Sequence, residues 1–276
     1  MAMKIKGTVL CLSMLGVFLV VCMAFNATSL AVVQRQILGW NYFSHILMIV
    51  MGVGIIALQK SDFHAYGFIL RQWRSDLSVA VTCLIVWAGF MPSLIFPSIA
   101  GNAPVDALFK IAANMLAMVL VASKKNKIVK AESTPLIAPL FLAAPLFVTG
   151  ADGSPGFRLI LSTIVFQFLF TGFGEEILFR GYMQTRLNED FGRPWRFKGV
   201  SFGPGLLISS ALFGVLHLFN PFNPFMGSFD LAVWWAITSS FSGLLFGFLR
   251  EKTGTVLSAS LAHGLIDLGQ VVPLLL

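Results

Sequence analysis

Glu175, Glu176 and Arg180 sit together in GFGEEILFRGYMQ (172–184), in and against an apolar run. Ionised carboxylates are expensive in hydrocarbon, so such a cluster either marks a membrane edge or has a task. The other ionisable side chains at comparable depth are Lys110, His217, His263 and Asp267, with Asp106 near an edge. All but Lys110 and Asp106 fall into three short patterns: EEILFR (175–180), FGVLH (213–217) and HGLID (263–267). Carboxylates and imidazoles are the side chains that move protons near neutral pH. As packing residues, the same groups would serve as ion pairs and interhelical hydrogen bonds.

Helical spacing divides the labour. Glu176 and Arg180 are four apart, share a face and can pair. Glu175 is turned about 100° from Glu176, so it is free to aim elsewhere. Phe213 and His217 share a face, as do His263 and Asp267, and the last two can offer polar groups to one point. Depth adds a constraint, at about 1.5 Å of rise per residue. Glu175 then lies about 18 Å, His217 roughly 24 Å and His263 about 14 Å from the inner ends of their helices. These depths bracket the middle of a bilayer core about 30 Å thick.

The rest of the chain is what must hold these groups. It is 57% hydrophobic and 11% charged across 276 residues, with a mean hydropathy of +0.85. Soluble domains carry about 25% charged residues, so the composition is that of a membrane protein. Segments near 8–31, 41–59, 77–98, 105–122, 134–149, 158–182, 202–219, 230–249 and 254–272 are long and apolar enough to be read as spans. Lys110 interrupts the fourth, and the fifth is short and rich in proline. The expectation is an all-α, polytopic transmembrane bundle of eight or nine spans, with N-terminal helices over 1–150 and a core over 151–276. No charge occurs between Lys6 and Arg35, long for a signal peptide, so the first segment reads as a span.

With the N-terminus inside, the inner loops hold all but four of the 19 basic residues. Arg35 and Arg158 fall outside, and Lys110 and Arg180 fall within spans. That alternation places the N-terminus in the cytoplasm and the C-terminus outside, in the cytoplasmic membrane. It also accounts for the net charge of +7 through anionic headgroups, without a nucleic-acid partner. Cys11, Cys22 and Cys83 lie in apolar runs and read as packing residues. The loop 183–201 is expected to form a short amphipathic turn. GLLFG (243–247) has small residues four apart, which suits close helix packing. His45, in an apolar run, reads as structural or interfacial.

EExxxR, FxxxH and HxxxN/D, in that order on successive membrane segments, resemble the CPBP family of intramembrane proteases, which includes CAAX proteases and bacteriocin-processing enzymes and is also called the ABI family. The likeness covers 158–276, with HLFNP (217–221) as part of it, and extends to KSDFHAYGFILRQW (60–73). It implies a helical fold around a polar cavity between the C-terminal helices, and peptide-bond hydrolysis within the membrane. Carried over, Glu175 would be the catalytic carboxylate, working with His217 to activate water. Glu176 and Arg180 would shape the site, and His263 with Asp267 would support the oxyanion or hold the water. An ionised Asp267 cannot donate to an oxyanion, so it either carries a proton or orients His263. No cofactor is expected from this chemistry. Glu175, His217, His263 and Asp267 would also make an N/O ligand set for zinc, although no HExxH helix is present. The partners implied are a membrane-anchored protein or peptide substrate and the bilayer. Two readings from other classes stand beside this one: a non-catalytic protein of the same fold, such as a bacteriocin-immunity factor or scaffold, and an ion-coupled transporter. The transporter reading lacks an evident inverted repeat.

Overall fold

The computed structural model describes residues 2–70, 72–90, 103–124 and 155–271. Its helices are α1 (Ala2–Asn26), α2 (Ser29–Leu38), α3 (Tyr42–Leu58), α4 (Trp73–Gly89) and α5 (Ala103–Ser123). They continue with the long α6 (Gly156–Phe191), α7 (Pro204–Leu218), α8 (Val233–Thr253) and α9 (Val256–Asp267). The all-α expectation holds, with one hairpin added.

That hairpin is where the loop 183–201 departs from the expected turn. α6 runs on to Phe191, and β1 (Trp195–Phe197) then pairs antiparallel with β2 (Val200–Phe202). The two residues between them, Lys198 and Gly199, both have positive φ, at 44° and 88°. Two left-handed residues in a two-residue loop match the twist of paired strands.

Among the described residues three helices are long and apolar enough to cross a membrane: Lys6–Asn26, Ala103–Ser123 and Gly156–Phe191. The pair α2 and α3, bent by 103°, makes a fourth if it is one broken span. The expected first span, 8–31, is cut at Asn26, where Thr28 Oγ1 donates to Phe25 O at 2.6 Å and a turn begins. α7 and α9 are apolar but shorter, and a 3₁₀ turn (Leu268–Val271) follows α9 at once. α8 has the length of a span, but Thr238, Ser239, Ser240 and Ser242 dilute its apolar character. The expected span 134–149 and the segment 91–98 lie outside the described residues.

α6 is the axis of the fold. α3 and α9 lie along it, and α1 and α7 pack against its last turns. From α9 a ring continues through α4, α5 and α8 back to α7. One apolar cluster joins α1, α3, α6 and α7 through Phe18, Met48, Phe179 and Phe213. A second joins α4, α5, α8 and α9 through Cys83, Val121, Phe246 and Ala262. All three cysteines are free and buried, as packing residues would be.

The stretch 60–73 pins the start of α9. Gly67 O accepts from Val256 N–H at 2.9 Å, and Gln72 Nε2 donates to Thr253 O at 2.6 Å. Arg250 Nη2 donates to Ala65 O at 3.1 Å. Gly67 has φ +87°, and a Cβ there would stand 2.7 Å from the Arg250 guanidinium. Gly67→Ala is therefore expected to destabilise the protein by about 1–3 kcal/mol from backbone strain, with more from displacing Arg250. Thermal unfolding in detergent measures it, and an unchanged midpoint would show that the loop is not fixed in this way.

Candidate active site

The segment carrying the glutamates is not an ordinary α-helix. Within α6, Val165–Glu175 and Ile177–Met183 are wound as π-helix. Such winding is rare, and where it occurs it often accompanies function. α9 crosses close by: a Cβ on Gly172 would lie 2.7 Å from Gly264 Cα, and one on Gly264 would lie 2.7 Å from Phe168 O. The two glycines let the backbones meet, which brings His263 beside the glutamates. A valine at position 172 is expected to push the helices apart by forcing backbone to move, at about 1–3 kcal/mol. Denaturant unfolding of Gly172→Val checks this.

Glu176 and Arg180 are fully buried, and Arg180 Nη1 donates to Glu176 Oε1 at 3.0 Å. The expected structural pair is thus formed. The guanidinium also stands 4.4 Å over the Phe213 ring and 5.6 Å over that of Phe246. Such a stacked cation gains from the ring quadrupoles. Gly243, the first glycine of GLLFG, makes room: a Cβ there would be 3.1 Å from Arg180 Nη2.

His263 is held from both sides. Its Nδ1 lies 2.9 Å from Glu176 Oε1 and its Nε2 lies 3.3 Å from Asp267 Oδ2. Both nitrogens can donate to these carboxylates only in the doubly protonated ring. The ring stacks on Phe246 with centroids 4.5 Å apart. Of the two parts open to Asp267, the geometry fits the one in which it orients His263.

His217 Nδ1 donates to Phe213 O at 2.9 Å, which fixes the tautomer of a neutral ring and leaves Nε2 as the acceptor. The Phe213 ring lies 4.6 Å from that of His217 and 5.9 Å from that of His263, so α7 and α9 meet there.

Glu175 stands among them. Its Oε2 is 3.9 Å from His263 Nε2, too long for a hydrogen bond. That oxygen has no hydrogen-bonding partner among the described residues. Its Oε1 is 3.3 Å from His45 Nε2 on α3. Glu175, His217 and His263 keep 5%, 8% and 6% of their surface exposed, so the cluster is nearly but not wholly enclosed.

The site therefore gathers Glu175, Glu176, Arg180, His217, His263 and Asp267, all six expected from the sequence. It adds His45, which sequence reading left as structural because its partner lies 130 residues away. The site is accordingly not confined to the C-terminal helices. Lys110 is elsewhere, half-exposed and paired with Asp106 at 2.6 Å. Among the described residues no group of three or more His, Cys, Asp or Glu side chains is arranged to hold a metal ion.

Residues 157–269 match the family model described as type II CAAX prenyl endopeptidase Rce1-like. No curated protein matches the chain, nor does any solved structure.

Proposed function

We propose, from the premise that residues 157–269 form a domain of the CPBP/CAAX protease family, that the protein is an intramembrane endopeptidase cleaving membrane-anchored proteins or peptides. The observation that carries the reading is the Oε2 of Glu175, buried without a hydrogen-bond partner among the described residues and 3.9 Å from His263 Nε2 on another helix. A carboxylate oxygen without a competing donor is what a general base needs.

In this reading Glu175 Oε2 takes a proton from water as the water oxygen bonds to the scissile carbonyl carbon. His217 Nε2 accepts a hydrogen bond that orients the water. His263, with both N–H groups given to Glu176 and Asp267, would act on the oxyanion that forms through its positive charge. Collapse of that intermediate breaks the C–N bond, and the proton on Glu175 passes to the leaving amine. Glu176 and Arg180 hold the wall of the site, and no step requires a metal. In the same reading the chain crosses the cytoplasmic membrane eight or nine times with its N-terminus inside, which the basic inner loops favour.

The test uses purified protein in detergent and a quenched fluorescent peptide ending in a farnesylated CAAX-type sequence, with the unprenylated peptide as comparison. Cleavage of the farnesylated peptide is expected, and comparing membrane-protein termini with and without the enzyme would identify native substrates. Failure to cleave either peptide, together with unchanged termini, would overturn the reading. Chelators such as 1,10-phenanthroline are expected to leave turnover unchanged. Loss of turnover restored by added zinc would point to metal chemistry instead.

A further inference from the structure

We propose that His45, on a helix outside the family-matched region, is a positioning residue that holds the Glu175 carboxylate by Oε1 and leaves Oε2 as the reacting oxygen. The inference rests on the hydrolase reading for its consequence, and on geometry for the pair itself.

Three observations converge on the pair. Nε2 of His45 lies 3.3 Å from Glu175 Oε1, with Thr171 Oγ1 at 3.5 Å from the same nitrogen. The other ring nitrogen is engaged too, since Nδ1 lies 3.1 Å from Ser44 Oγ. Finally, α6 lacks a side chain where α3 crosses it. A Cβ on Gly174 would be 3.2 Å from His45 O and 3.4 Å from His45 Cβ.

The hydrogen-bond count shows what the contact is. Ser44 donates its single hydroxyl proton to Asn41 O at 3.2 Å. Its oxygen is then an acceptor for His45 Nδ1–H. Nε2 donates to Glu175 Oε1 in the doubly protonated ring, the arrangement in which Glu175 remains a carboxylate and Oε2 can act as a base. In that arrangement Oε1 is tied down by a charge-assisted bond, the stronger kind. The ring cannot swing away, because its edge contacts Phe166 with centroids 4.7 Å apart. α3 itself is anchored to α6 by Tyr42, whose hydroxyl donates to Ser162 O at 3.0 Å.

A carboxylate held at one oxygen has one orientation. Without His45 the Glu175 side chain can rotate, and misplacing a reacting group by about 1 Å costs roughly 100-fold in rate. Leucine fits an apolar helix without offering a hydrogen bond, while glutamine keeps an N–H at similar reach. With the farnesylated peptide, His45→Leu is expected to lose roughly 100-fold in kcat at an unchanged KM. His45→Gln should stay within a few-fold of the wild type. Equal kcat in all three proteins, or equal loss in both variants, would overturn the proposal. If His45→Leu does not fold, Asn replaces it, since its amide stops short of Glu175, and the same comparison with Gln decides. If the wild-type protein leaves the peptide intact, the hydrolase reading fails while the pair remains measurable. The ¹⁵N resonances of the His45 ring are then compared between wild type and Glu175→Gln. A shift supports the pair, and unchanged resonances overturn it.

Discussion

Glu175→Gln lowers turnover of the farnesylated peptide by roughly 10²–10⁴-fold while the protein folds as before: that is the expected result. The substitution changes one atom of the carboxylate and removes its ability to take a proton. A glutamine oxygen still accepts from His45, so the packing around α3 and α6 is kept. Buried groups that lose a partner are costly, but here Oε2 has no hydrogen-bond partner to lose. Stability within about 1 kcal/mol of wild type is therefore expected, by denaturant titration. Full turnover by a folded Glu175→Gln protein would remove the general base from the mechanism and leave a packing role for the cluster. An unfolded variant would mean that Glu175 is held by more than His45.

Arg180→Ala is the converse case, in which folding suffers first. The guanidinium is fully buried, donates to Glu176 and lies over Phe213 and Phe246. Removing it strands a carboxylate in the interior and opens a hole among three helices. Breaking a buried pair from one side costs about 3–5 kcal/mol, enough to unfold many proteins. Lysine is not a substitute, because it lacks the planar group that stacks on the rings. Glu176→Gln should be milder, since an amide oxygen still accepts from Arg180 and from His263. Thermal and denaturant unfolding of the three variants should rank Arg180→Ala as least stable. The pair would have no structural weight if Arg180→Ala unfolded at the wild-type midpoint.

The contrast between these two residues was visible in the spacing alone. Glu176 and Arg180 are four apart and pair as expected, and His263 meets Asp267 across the same interval. Such local rules survive because a helix fixes neighbours four residues on, whatever surrounds it. What spacing does not reach is contact between distant segments. His45 has no local sign of its part, since only the docking of α3 against Gly174 brings it to Glu175. The GLLFG glycines pack helices as expected, a Cβ on Gly243 standing 3.0 Å from Ser210 Cα on α7, and Gly243 also borders the Arg180 guanidinium. Apolar runs also leave open whether α7 and α9, shorter apolar helices, are full spans. Hydropathy measures greasiness, and a short buried helix is as apolar as a crossing one.

The π-wound stretch of α6 bears on the order in which the molecule is assembled. A chain left to itself relaxes toward the commoner winding, and an unusual one persists only where its surroundings over-determine it. Those surroundings are α3 on one flank and α9 on the other. Glu175 is therefore expected to take its place only once α3 and α9 have docked, which hydrogen exchange along α6 would check. A fragment cut to 157–269 would retain every motif that marks the family and lack the helix that helps shape them. The family-matched stretch, less than half of the chain, is therefore expected to need α3 to keep its shape.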